Sequence, residues 1–288
     1  MWNDFETEQA VRLLTWGLHE DLGQQGDITS ASVIDHDRKS SPKVVARHTG
    51  VVAGVEAIRL LSQIEPFEIL SQVDDGPVNQ GDTIAHIAGS TRTLLSIERT
   101  MLNFLCHLSG IATMTARFVE AVRGTNATIC DTRKTTPGWR YLEKYAVRVG
   151  GGTNHRVGLF DAVLIKDNHL AELSRQFERP WQVAIERARQ QVPRGTIVEI
   201  EIDSLAPLDE ALPSQPDIVL LDNMSLEEIA EAVAIRDKVA PLVLLEASGG
   251  VKMTTVRAIA ETGVDRISVG AITHSAPILD LALDDLLA

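Results

Sequence analysis

The sequence predicts an α/β chain: a (β/α) barrel with fewer than eight strands, preceded by an N-terminal α+β domain. Three observations lead there. From about residue 127, short apolar runs alternate with helical segments. Most of those runs end in polar or small residues on their carboxyl side. The first 110 residues show no such rhythm. A chain of 288 residues makes one large domain or two moderate ones, at roughly 100–200 residues each. The expected division is 1–110 for the α+β domain with its linking helix, 111–275 for the barrel, and 276–288 for a C-terminal segment that packs back on the N-terminal domain.

Val11, Leu13, Leu14 and Leu18 give residues 7–23 the spacing of an amphipathic helix, ended by Gly23 and Gly26. β-like runs follow at 43–48, 51–53, 68–73 and 83–88, separated by turns at 74–77 and 80–82. A helix carrying Val55, Ile58, Leu60, Leu61 and Ile64 lies among them. Residues 91–122 form a long helix with Leu94, Ile97, Met101, Leu102, Leu105 and Leu108 on one stripe, and Gly110 is expected to interrupt it.

The alternating part has runs at 128–131, 162–166, 197–201, 217–222, 242–246 and 266–270, with helices at 181–191, 205–212, 226–239 and 254–262. Strands alternating with helices imply parallel βαβ units. The runs are so continuously apolar that both faces are expected to be covered. A barrel is preferred to a doubly wound sheet because six successive strands contribute polar carboxyl ends and no GxGxxG follows the first. That edge is where barrels place their chemistry.

Composition excludes several classes. With 27 Lys and Arg against 40 Asp and Glu, the net charge of −13 repels nucleic acid and anionic membranes. No apolar run approaches the ~20 residues of a membrane helix, and the acidic N-terminus lacks signal-peptide character. Cys106 and Cys130 stand outside any metal or redox motif and are read as buried free thiols, so a cytoplasmic location is expected.

Charge reverses locally. Between residues 131 and 166 stand Arg133, Lys134, Arg140, Lys144, Arg148, Arg156 and Lys166, against only Asp131, Glu143 and Asp161, with His155 as a further donor. Arg133, Lys134, Arg156 and Lys166 fall at strand ends, where guanidinium forks and ammonium groups bind a polyanion. Arg140, Lys144 and Arg148, at helical spacing, read equally well as a solvated face. A second anion site is expected where Ser248, Gly249 and Gly250 precede a helix and where Val269, Gly270 and Ala271 follow the last strand, since glycine lets backbone N–H groups approach a phosphate. Glu201 and Asp222 end neighbouring strands and are placed to hold ribose hydroxyls, to bind Mg²⁺ through substrate or water, or to stabilise a developing cation. Glu199 is expected to face away from Glu201 and is set aside. The glycines at 150–152 read as a flexible turn.

Several segments resemble one family. DTRKTTPG at 131–138, KYAV at 144–147, GGTNHR at 151–156 and LIKDNH at 164–169 closely resemble the nicotinate-nucleotide pyrophosphorylase family, also called quinolinate phosphoribosyltransferases. So do LHEDL and GDITS within 18–30, ERTMLN at 98–103, LLDN at 220–223 and EASGGV at 246–251. The resemblance runs in order over nearly the whole chain. It implies transfer of phosphoribosyl from 5-phosphoribosyl 1-pyrophosphate to quinolinate with Mg²⁺, releasing CO₂ and pyrophosphate. By the same resemblance, Arg99, Arg133, His155 and Arg156 hold the quinolinate carboxylates. Lys134 and Lys166 serve quinolinate and the pyrophosphate region, Glu201 and Asp222 face the ribose and its metal, and Ser248, Gly249, Gly250 and 269–271 hold the 5-phosphate. A homodimer with a shared active site is implied, Arg99 being the residue donated across it. Trp139 and Thr153 depart from the family pattern without removing a charged ligand.

Other readings compete: a molybdenum-transport-associated relative of the same fold, a phosphoribosyltransferase for another base, a non-catalytic binding protein, and a Schiff-base lyase using Lys166 as a desolvated nucleophile.

Overall fold

The computed structural model describes residues 2–285, so residues 286–288 of the expected C-terminal segment lie outside it. Contacts divide the chain into two units less simply than a single cut near residue 110. The first comprises Met1–Ala116, Thr135–Gly151 and Ile272–Ala288; the second comprises Arg117–Lys134 and Gly152–Ala271. Among the described residues, no helix is long and apolar enough to cross a membrane.

In the first unit, the helix Asp4–Leu22 starts at a capping box in which Asn3 accepts the Glu6 N–H and Glu6 accepts the Asn3 N–H. Its buried face is Glu6, Ala10, Leu14 and Leu18. The strand Thr83–Ser90 pairs antiparallel with Lys39–Ser40, Lys43–Ala46 and Glu68–Gln72. The C-terminal strand Leu281–Asp284 extends this sheet along Lys43–Ala46. Gly76–Val78, which overlaps the turn read at 74–77, pairs with Gly50–Val52.

The helix Thr91–Ala121 is continuous through Gly110. The expected interruption is absent for a steric reason: a Cβ at Gly110 would stand 2.2 Å from the Pro277 carbonyl oxygen, so this glycine lets the returning chain lie against the helix. Gly150 does similar work, since a Cβ there would meet the Ala112 carbonyl at 2.4 Å. The run is a turn, as read, with Gly151 at φ +84°, and Gly150 within it is also a close packing point.

The helix Arg140–Val149 belongs to this first unit. Tyr145 Oη donates to Asp75 at 2.5 Å, Arg148 pairs with buried Glu6, and the Leu142 N–H donates to Gln9 at 3.1 Å. Lys144 is fully buried. Arg140 Nε donates to the Thr135 hydroxyl at 2.9 Å. The solvated-face reading thus fails at buried Lys144, while Arg148 is 43 % exposed at its side chain.

The second unit holds, among the described residues, six parallel strands: β1 (Thr128–Cys130), β2 (Val163–Ile165), β3 (Val198–Ile202), β4 (Ile218–Asp222), β5 (Leu244–Ser248) and β6 (Arg266–Ser268). Their order is β1-β6-β5-β4-β3-β2. The sheet continues past β1 by one parallel bridge, Cys130 to Thr153. This is a barrel wall of fewer than eight strands, as expected. The helices Pro180–Gln191, Leu226–Val239 and Val256–Glu261 lie between successive strands.

Register shows why the two faces of this sheet differ. Ile129, Val198, Ile200, Val219, Leu221, Leu245, Ala247 and Ile267 lie on one face and are buried. Each such side chain contributes about 1.5–3 kcal/mol when a large aliphatic leaves water. The alternate positions carry Glu199, Glu201, Asp222, Glu246, Ser248, Arg266 and Ser268. Both faces are covered, as expected; one is uniformly apolar, while the other mixes these polar groups with the buried Cys130, Ile218 and Leu220.

Candidate active site

Asp131 directly follows β1 and is buried. Its carboxylate accepts the His155 N–H at 2.8 Å and Asn154 Nδ2 at 2.7 Å. Together with the Cys130–Thr153 bridge, this pins residues 153–156 beside the strand and brings His155 and Arg156 to the end where Arg133 emerges. The consequence is electrostatic. Burial first, and then the neighbouring Arg133 guanidinium, pull Arg156 below the ordinary arginine value. Two arginines that repel one another at a barrel end suit a ligand with more than one negative charge. Arg156 Nη1 donates to the Ala162 carbonyl at 3.1 Å, while its buried Nε has no hydrogen-bond partner among the described residues.

Beneath them lies a charged layer inside the barrel. His155 Nδ1 accepts the Arg156 N–H at 2.8 Å, and its Nε2 is 3.0 Å from Glu199 and 3.5 Å from Glu246. Glu246 accepts the Ser268 hydroxyl on one oxygen and Arg266 Nε, at 2.6 Å, on the other. His155 is held above its ordinary value: burial opposes its charged form, but the Glu199 and Glu246 carboxylates outweigh burial. Burial raises Glu199, with the nearby Glu246 charge adding to it and His155 opposing. Cys130, fully buried and facing Glu246, is pushed up to about 12, mainly by burial.

Glu199 corrects the sequence reading. Side chains two residues apart on a strand share a face, so Glu199 points to the same interior as Glu201, one layer deeper. That i, i+2 spacing was the signal available to find it. Glu246, Arg266 and Ser268 were visible only as polar positions near strand ends. Asp131, which orients the 153–156 segment, was read only as one of three acids in a basic window.

On the neighbouring strands, Lys166 Nζ pairs with Glu201. With its side chain 44 % exposed and paired with Glu201, Lys166 lacks the desolvated setting that the nucleophile of a Schiff-base lyase needs. Asp222 accepts Asn223 Nδ2 at 2.8 Å and lies in register with Ser248, whose carbonyl accepts the Asn223 N–H at 2.9 Å. Gly249 has φ +98°, and a Cβ there would stand 2.1 Å from Asn223 Oδ1, so only glycine fits this turn. The Val269 N–H donates to the Cys130 carbonyl at 2.9 Å. Val269 is therefore core, and the turn is offered by Gly270 and Ala271.

The structure thus gathers Arg133, His155 and Arg156 above the charged layer, Lys166 on Glu201, and Asp222 beside the 248–250 turn. Lys134 is exposed on the loop after β1, where its N–H donates to Thr132 at 3.1 Å. Arg99 belongs to the first unit, on the helix Thr91–Ala121, with its side chain 64 % exposed. Trp139 packs against Phe104 and His107, and Thr153 serves through its backbone.

Two acidic groups bear on metal binding. Donor atoms of His155, Glu199 and Glu246 lie within 4.8 Å of one another. Both Glu246 oxygens, however, are already engaged by Arg266 and Ser268, and Arg156 stands close by. Glu201 and Asp222 each have one oxygen bound by a protein donor, leaving the other for a further ligand. Such half-buried carboxylates suit Mg²⁺, which takes one or two together with substrate phosphate oxygens.

Comparisons with known proteins agree on one family. Residues 111–284 match the family model described as the quinolinate phosphoribosyl transferase C-terminal domain, and residues 27–109 match its N-terminal domain. The chain is 44% identical to the nicotinate-nucleotide pyrophosphorylase [carboxylating] of Mycobacterium leprae over 289 aligned residues, covering 99% of this chain and 100% of that protein. The solved nicotinate-nucleotide pyrophosphorylase of Francisella tularensis superposes with a TM-score of 0.88 at 37% identity, covering 96% of each chain. That of Ehrlichia chaffeensis gives 0.86 at 39% identity, covering 95% of this chain and 97% of the other.

Proposed function

Because the chain belongs to the quinolinate phosphoribosyltransferase family, we propose that it transfers phosphoribosyl from 5-phosphoribosyl 1-pyrophosphate to quinolinate, releasing CO₂ and pyrophosphate and giving nicotinate mononucleotide for NAD biosynthesis. One observation carries this reading: two mutually repelling arginines, Arg133 and Arg156, stand at the carboxyl end of a barrel over a layer of buried carboxylates. An aromatic diacid offers one carboxylate to each guanidinium.

Arg133, His155 and Arg156 bind and orient the carboxylates of quinolinate, with Lys134 and Lys166 completing the positive field. Ser248, Gly249, Gly250, Gly270 and Ala271 offer backbone N–H groups to the 5-phosphate. Glu201 and Asp222 face the ribose, where fixed negative charge stabilises the oxocarbenium character that grows as pyrophosphate departs. Mg²⁺, held through Glu201, Asp222 and the donor's phosphates, would supply charge neutralisation of the leaving group. The pyridine nitrogen then attacks the sugar carbon. The resulting pyridinium stabilises the C2 carbanion left when the 2-carboxylate leaves as CO₂, and a proton from water then takes its place, so the protein's part is positioning and charge.

Arg99 enters this scheme from a second copy of the chain, which makes the working form a homodimer; its exposure on a helix of the first unit supports that role. The buried free thiols Cys106 and Cys130 support a reducing, cytoplasmic compartment. The test is direct. Purified protein with quinolinate, the phosphoribosyl donor and Mg²⁺ should form nicotinate mononucleotide, and nicotinate in place of quinolinate should not. Product from nicotinate, or from neither, overturns the proposal.

A further inference from the structure

The charges inside the barrel pair off unevenly. Glu246 is neutralised by Arg266, through a 2.6 Å contact, and Glu201 by Lys166. Glu199 is left. It is 1 % exposed, and its Oε2 accepts from His155 Nε2 at 3.0 Å. Its other oxygen, Oε1, is buried without a partner among the described residues. A buried carboxylate left half-satisfied is costly, so its retention calls for a reason. On the rim, Arg156 likewise has a buried Nε without a partner among the described residues.

The imidazole between them has its two nitrogens assigned by their contacts. Because Nδ1 accepts the Arg156 N–H, Nε2 carries the proton and donates to Glu199. Glu246 stands farther off at 3.5 Å, with both its oxygens already engaged. Glu199 is therefore the group that fixes the ring, and the ring fixes the Arg156 backbone. We propose that Glu199 is a positioning residue for diacid recognition: by accepting from His155 Nε2 it fixes the ring whose Nδ1 accepts the Arg156 N–H, and so sets the Arg156 backbone at the rim. The proposal rests on the functional reading above and extends it below the rim. It assigns Glu199 no contact with substrate.

The test uses Glu199→Leu, which removes charge and acceptor, and Glu199→Gln, which keeps an acceptor and removes the charge. Quinolinate Kd is measured by calorimetry, KM for each substrate and kcat by steady-state kinetics, and the His155 tautomer by ¹⁵N imidazole NMR. Glu199→Leu should raise quinolinate Kd and KM at least tenfold, change KM for the phosphoribosyl donor less than twofold, and lose the single Nε2–H tautomer. Glu199→Gln should keep that tautomer and lose affinity to an intermediate degree; it decides the matter if the leucine variant fails to fold. A folded variant with quinolinate Kd within twofold of wild type overturns the proposal, as does equal weakening of both substrates. Wild-type protein that turns over no quinolinate would sink the functional reading instead, and the tautomer would still report on whether Glu199 fixes the ring.

Discussion

The buried pair of Glu246 and Arg266 offers the sharpest test of how this barrel tolerates charge in its interior. Glu246 is fully buried and Arg266 is 17 % exposed at its side chain, with Nε 2.6 Å from the carboxylate. Replacing Glu246 by leucine strands the Arg266 guanidinium and the Ser268 hydroxyl in a low-dielectric interior. Breaking a buried pair from one side typically costs about 3–5 kcal/mol. One effect works against that loss: Glu246 and Glu199 repel each other across His155, and leucine relieves the repulsion. The loss dominates, because Glu246 has two direct partners and one like-charged neighbour.

At about 2–4 °C per kcal/mol for domains of this size, Tm should fall by roughly 6–20 °C. The double variant Glu246→Leu with Arg266→Met should cost less than the sum of the singles by at least about 2 kcal/mol, since no charge is then orphaned. Urea unfolding followed by circular dichroism gives all four corners of the cycle. Single variants costing less than about 1 kcal/mol, or singles that add within about 0.5 kcal/mol, would refute this account of the interior.

The remaining predictions concern the rim and the thiols. Arg133→Ala and Arg156→Ala should each weaken quinolinate binding by about 2–4 kcal/mol, roughly 30- to 700-fold, with Tm little changed; calorimetry showing normal affinity would remove that residue from the site. Glu201→Ala and Asp222→Ala should lower kcat by on the order of 10² while changing quinolinate Kd far less, and an unchanged kcat would exclude them from the chemistry. Gly249→Ala forces alanine to φ +98° against Asn223, costing about 1–2 kcal/mol from backbone alone, and should raise KM for the phosphoribosyl donor more than for quinolinate. Neither Cys106 nor Cys130 should react with iodoacetamide in native protein at neutral pH, while both should react after unfolding. Because the folded Cys130 value lies above the ordinary 9.0, its contribution to stability is complete below that pH and is lost as pH rises towards about 12. Rapid labelling of native protein would contradict its burial.

The six barrel strands were legible because each couples a β-branched or leucine-rich run to a polar carboxyl end, a pattern that also marks the functional edge. What the pattern hid was parity. In β3, the glutamates at 199 and 201 alternate with Val198, Ile200 and Ile202, and that alternation announces a polar face. Taking residues two apart on a strand to face opposite ways misplaced Glu199. The segment 135–151 was opaque for a different reason. Its basic residues look like a continuation of the Arg133–Lys134 cluster, and only long-range partners such as Glu6 and Asp75 reveal that they belong to the first unit. Gly110 and Gly150 read as breaks because a glycine in sequence cannot distinguish a bend from a place where another backbone must come close. Leu281–Asp284 is too short a strand for any local signal; it exists because Lys43–Ala46 has an edge to pair with.

The most direct measurement follows the carboxylate that leaves. With quinolinate labelled by ¹³C at the 2-carboxylate, the protein should release labelled CO₂ only when the phosphoribosyl donor is present, mole for mole with pyrophosphate. Pyrophosphate released without labelled CO₂, or labelled CO₂ released without the donor, would contradict the coupling of glycosyl transfer to decarboxylation.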